Sequence, residues 1–212
     1  LHPFALGMLT VVGTGIAAMA QDASVASTAA FFSLISGSMG LFLMMVKLIL
    51  IFKSHMKADG LPDKKFIPSF LIIVPNITLY AISGFRFSHF MHRHLGMETE
   101  ALSFLVIMTA FAFEAWYLMF GFSLMRDYFK NNFFKKEFYI EQWGLICPVV
   151  AFGVLGSFVF KLFLGNAFIY SAILLSTLVA VGLYLVLLKR QYLCAGSKAQ
   201  EKKAKEASYS CL

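Results

Sequence analysis

The chain has 212 residues, of which 59% are hydrophobic and 14% charged, with 24 phenylalanines and a formal net charge of +7. A mean hydropathy of +0.77 excludes a soluble domain of this length, whose surface must be wetted. Cys147, Cys194 and Cys211 are too few and too scattered for a disulfide framework, form no CxxC pair and, with Cys211 penultimate, make no CaaX prenylation signal.

The chain begins with Leu1 and shows neither the charged segment nor the small-residue cleavage site of a signal peptide, so an N-terminally truncated chain is expected. Six apolar runs follow, at residues 3–20, 28–52, 66–85, 101–125, 138–164 and 168–188. Each is long enough to cross a bilayer, and only helices satisfy every backbone group of such a segment in lipid. The expectation is an all-α integral membrane protein with about six transmembrane helices arranged as three hairpins over residues 1–188. The first run carries Pro3, Gly13 and Gly15, and the second carries Gly37, Gly40 and Lys47. The third holds Pro68 and Pro75, the fourth Glu114, the fifth Pro148, Gly153, Gly156 and Lys161, and the sixth has no proline. Small residues at such spacings let helix backbones approach in a membrane. The segment 189–212 is lysine-rich and is expected to be a disordered basic tail.

Lysine and arginine set the orientation. Loop 53–65 has four, loop 126–137 has four and the tail has six, against only Arg86, Arg93 and Lys161 on the other side. Both ends of the chain are therefore expected in the cytosol, and the net charge is mainly a topology signal rather than a nucleic-acid footprint. Pro75 and Pro148 each lie nine residues after a helix start, if the fifth run is counted from Tyr139, which places them at matching depth. An interior proline removes a backbone hydrogen bond and kinks the helix, a change best tolerated where the helix lines a cavity. Two readings stand: kinked inner helices (one, three, five) around a pore, backed by straight outer helices, or kinks that merely help pack a bundle.

The stretch Phe138-Tyr139-Ile140-Glu141-Gln142-Trp143-Gly144-Leu145-Ile146-Cys147-Pro148 resembles the tellurite-resistance/dicarboxylate transporter family, which includes TehA-type bacterial proteins, the slow anion channel of guard cells, yeast malate permease and sulfite pumps. Trp143 matches the second tryptophan of that family's pair, and Gln142 replaces the first. Ile67-Pro68-Ser69-Phe70-Leu71-Ile72-Ile73-Val74-Pro75 is similar to the family's Pro-x-x-x-Phe-Ile…Ala-Pro segment, with different spacing. The resemblance implies the last six of ten helices around a central anion pore, often in a homotrimer, in a bacterial inner or plasma membrane. It implies transport of a small anion (inorganic anion, tellurite, sulfite or dicarboxylate), with no enzyme activity, cofactor or metal. Pore-lining positions would be Val74, Pro75, Gly144, Cys147 and Pro148. Cys147 stands where the family has its gating phenylalanine, so Phe70 and Phe152 are the candidate gates.

Three further features have two readings each. Glu114, mid-membrane, is either a proton-coupling residue or a neutral glutamate bonded to a neighbouring helix. Lys47 fits snorkelling to the headgroups, and Lys161 fits either that or a pore mouth. Arg86, His89 and Arg93 share a face if the third helix continues, forming an anion-concentrating vestibule. The alternative uses His89, His92 and His94, with Glu98, as a metal or redox centre of an integral-membrane enzyme, although their spacing fits one helix face poorly.

Overall fold

A computed structural model describes residues 2–57, 71–133 and 140–209. Six long helices carry the architecture: α1 (His2–Met19), α2 (Ala23–Lys57), α3 (Ile73–Leu95), α4 (Glu100–Leu124), α5 (Ile146–Leu162) and α6 (Ala167–Tyr209). A helical turn at Arg126–Tyr128, a π turn at Phe129–Phe133 and a 3₁₀ turn at Ile140–Leu145 lie between α4 and α5. Among the described residues, four segments are long and apolar enough to cross a membrane: Ala23–Leu50, Glu100–Ser123, Gln142–Leu162 and Ala167–Cys194. The six-span expectation is thus met by four; the apolar part of α1, Pro3–Met19, is shorter, and α3 is not among them.

Local signals explain the helix ends. The Asp22 carboxylate accepts a bond from the Ser24 N–H at 2.8 Å, satisfying a free donor at the start of α2. Gly96 ends α3 in the left-handed region (φ 66°), where a side chain would be strained. Thr99 then donates to the Ser88 carbonyl at 2.9 Å and closes the short link to α4. The third helix, expected to end at 85, runs on to Leu95, and the sixth, expected to end at 188, runs on to Tyr209.

α3 is the centre of the bundle, packing against α1, α2, α4 and α5. It contributes to all three buried clusters: Ile73 and Val74 with Tyr117, Leu118 and Leu145; Ala81 and Ile82 with Ile107, Leu155 and Val159; and Phe90 with Ala17, Ala26 and Ala30. Its position accounts for its composition. A lipid-facing helix must be apolar outside, whereas a central helix can carry Asn76, Thr78, Ser83 and Ser88, all buried. The exposed large hydrophobics fall instead mostly on α2, α4 and α6, with Phe31, Phe42, Trp116, Met119, Phe168 and Leu175 among them.

Side-chain contacts fix the helix directions. Tyr80, Arg86 and Arg93 of α3 donate to the carbonyls of Pro3, Val11 and Ala18 on α1, so α1 and α3 run parallel. Thr10 of α1 meets Ser36 of α2 at 3.0 Å, and a Cβ at Gly153 of α5 would lie 2.7 Å from the Ser176 hydroxyl of α6; both pairs are antiparallel. The glycines do allow close approach: Gly37 lies against Thr10, and Gly156 lies against Ile173 and Phe111.

The two prolines require a correction. Pro75 and Pro148 are each the third residue of their α-helix, directly after a 3₁₀ turn at residues 71–72 and 140–145. Neither interrupts an α-helix interior. The residue before each α-helix, Ile72 or Leu145, is itself in the αR region, so the helical path continues through the junction and each proline removes one N–H from it. The equal placement holds, but its cause is a 3₁₀-to-α junction, repeated in α3 and α5. The two junctions are neighbours, since a Cβ on Gly144 would meet Ile72 at 4.0 Å.

Candidate functional site

The residues with chemical potential fall into three groups, at the two ends of the bundle and at its centre. At the end carrying the α1–α2, α3–α4 and α5–α6 links, a cavity of about 600 Å³ opens between α1 and α3. It is lined by Gly15, Ala18 and Met19 of α1 and by Arg86, His89, His92 and Arg93 of α3. The continuation of α3 to Leu95 brings Arg86, His89 and Arg93 of the vestibule reading to one cavity and adds His92. Arg86 Nη1 donates to the Val11 carbonyl at 2.8 Å, and Arg93 Nη1 to the Ala18 carbonyl at 3.3 Å. A guanidinium has five N–H donors, so each arginine is anchored by one contact and has others to offer a ligand. Gly15 provides the room, because a Cβ there would lie 3.0 Å from Arg86 Nη1. The acidic residues at this end include Asp22 and Glu100, which serve helix N-termini rather than the cavity. Lys161 is exposed on α5 and does not line this cavity.

The three histidines diverge. His89 packs edge-on against Phe85 at 4.8 Å, His92 contacts the Met97 carbonyl through Nδ1 at 3.1 Å, and His94 lies over Phe90 at 5.2 Å. Glu98 is exposed. Among the described residues no group of three His, Cys, Asp or Glu is placed to hold a metal ion.

At the centre, Glu114 of α4 is fully buried against α3. Its Oε1 lies 2.5 Å from Thr78 Oγ1, while its Oε2 has no hydrogen-bonding partner among the described residues. Thr78 Oγ1 also lies 3.2 Å from the Val74 carbonyl, one turn back. Nearby on α3, Asn76 is buried, donates from Nδ2 to the Ile72 carbonyl at 2.9 Å and leaves its Oδ1 unpartnered among the described residues.

Of the five expected pore-lining residues, Val74, Pro75 and Pro148 are buried, Gly144 is half-buried and Cys147 is exposed. Cys147 opens a surface stripe of α5 that continues through Val150 and Val154 at helical spacing. Of the candidate gates, Phe70 lies outside the described residues, and Phe152 is half-buried and stacked on Phe111 of α4 at 4.9 Å. Phe152 and Cys147 are therefore not brought to one point. Lys47 is half-buried towards the far end of α2.

The third group, at the opposite end, is one that motif reading missed. Gln142 is completely buried, donates from Nε2 to the Tyr128 hydroxyl at 2.9 Å and accepts from Arg190 Nη1 at 3.1 Å. Arg190 also lies over the Phe133 ring at 5.1 Å, and Trp143 Nε1 donates to Gln191 at 3.2 Å. This clamp ties the turn before α5 to α6 and to the segment after α4. The signal available was the polar pair Gln142 and Arg190 inside or beside apolar runs, where burial demands partners.

Comparison with family models, with curated proteins and with solved structures returns no match. The family resemblance therefore rests on the sequence, chiefly on the segments Phe138–Pro148 and Ile67–Pro75.

Proposed function

We propose that this protein moves small anions across a membrane. The observation that carries the reading is the cavity lined by Arg86, His89, His92 and Arg93 at one end of an apolar helical bundle. A recess holding the two guanidinium cations of Arg86 and Arg93 focuses field lines and concentrates anions locally, which raises capture rates. In this reading α1, α3 and α5 form the inner layer of three hairpins, and α2, α4 and α6 face lipid. The lysine-rich end is cytosolic, so the cavity opens on the other face. The open stripe Cys147–Val150–Val154 on α5 is one wall of the path.

The test is anion flux through purified protein in proteoliposomes, read with a nitrate electrode. Arg86→Gln and Arg93→Gln together should lower the rate by about tenfold at low salt, and the deficit should shrink as ionic strength rises. Unchanged flux in the double variant at low salt would remove the cavity from the path.

A further inference from the structure

We propose that Glu114 and Thr78 form a proton-binding site on the α3–α4 interface, and that its proton crosses the membrane together with the anion; this second half rests on the anion reading above. Burial favours the neutral acid. Glu114 is 0% exposed and its Oε2 has no partner among the described residues. An ionised carboxylate would leave a charged oxygen unsolvated at the centre of an apolar bundle, which costs several kcal/mol. A neutral acid removes that charge. The Thr78 hydroxyl donates to Glu114 Oε1 at 2.5 Å and lies 3.2 Å from the Val74 carbonyl. The proton of the acid then sits on the unpartnered Oε2, and a neutral O–H is far less costly to leave unbonded than a charged oxygen.

Among the described residues, the other ionisable groups on the packed elements do not offer Glu114 a counter-charge. On α4 itself, Tyr117 is buried and stacked on Phe113 at 5.7 Å. On α3, Tyr80 donates to Pro3, Arg86 is anchored on α1, and His89, His92, Arg93 and His94 lie still further along. On α5, Cys147 and Lys161 are exposed. Thr78 and Arg86 are eight residues apart on one helix, about 12 Å along its axis. A displacement of α3 that changes the basic cavity therefore also changes the partner of Glu114. That shared helix is the physical link between anion and proton. One proton is taken from water onto a carboxylate oxygen at one face and returned to water at the other; no other bond is made or broken.

The experiment has two arms, both on the full chain. In nanodiscs at neutral pH, infrared spectra of the wild type should contain the carbonyl band of a neutral carboxylic acid. The band should be absent in Glu114→Gln and shifted in Thr78→Val, which removes the hydroxyl that donates to it. A spectrum unchanged by Glu114→Gln overturns the protonated site. In proteoliposomes with an alkaline interior, the wild type should accumulate nitrate against its gradient. Glu114→Gln, whose amide oxygen can still accept from Thr78, should pass nitrate downhill but lose this accumulation. If it accumulates nitrate like the wild type, Glu114 is a structural acid and the coupling is refuted. If the wild type passes no nitrate at all, the anion reading and the coupling fall, while the infrared arm still decides the proton site.

Discussion

Gly40 of α2 sits where α1, α2 and α3 meet, and replacing it with alanine probes that junction. A Cβ at this position would fall on the Tyr80 hydroxyl and come within 3.0 Å of Leu6 Cβ and 3.1 Å of Tyr80 Cζ. The hydroxyl cannot simply swing away, because it donates to the Pro3 carbonyl at 3.0 Å. Overpacking a tight site costs about 1–3 kcal/mol, and a lost side-chain hydrogen bond in a membrane bundle adds about 0.6 kcal/mol. Gly40→Ala should therefore destabilise by about 2–3 kcal/mol. Tyr80→Phe alone should cost only about 0.6 kcal/mol. In the double variant the collision with the hydroxyl is gone, so the two changes should be non-additive, with a favourable coupling of about 1–2 kcal/mol. Unfolding free energies from denaturing-detergent titration in mixed micelles supply all four corners of the cycle. Additivity within about 0.5 kcal/mol would refute this packing of α3 between α1 and α2.

In a Cys194→Ser, Cys211→Ser background, a small water-soluble thiol reagent should label exposed Cys147 in the intact membrane protein and reduce nitrate flux; absence of labelling would take Cys147 off the permeation path. Cys147→Phe, which restores the resembled family's residue at an exposed position, should change stability by less than about 0.5 kcal/mol while lowering flux. A higher flux would place Cys147 outside the gate. Gln142→Leu breaks the bonds to Tyr128 and Arg190 and should cost about 1–3 kcal/mol in the same titration, whereas a cost near zero would show that the clamp does not hold the turn before α5.

The sequence made the helices legible wherever a bilayer's demand for apolar surface dominates, as in α2, α4, α5 and α6. It was less informative about α3, whose Asn76, Thr78, Ser83 and Ser88 lower its hydropathy because it faces other helices rather than lipid. Hydropathy runs also carry no information on 3₁₀ against α geometry, so Pro75 and Pro148 read as interior residues although each lies in a first turn. Helical spacing groups Arg86, His89 and Arg93, and the cavity they line adds His92 and the α1 residues that spacing along one helix cannot supply. Arg190 counted only as charge and Gln142 only as a missing tryptophan. Their shared clamp depends on contacts 48 residues apart, beyond any local pattern.

The central claim is that the bundle passes small anions, and downhill nitrate efflux from proteoliposomes addresses it with the fewest assumptions. Vesicles containing the purified wild-type chain should release nitrate faster than protein-free vesicles of the same lipid while retaining a trapped cation dye. Nitrate release no faster than from empty vesicles, or equal loss of the cation dye, would contradict the account.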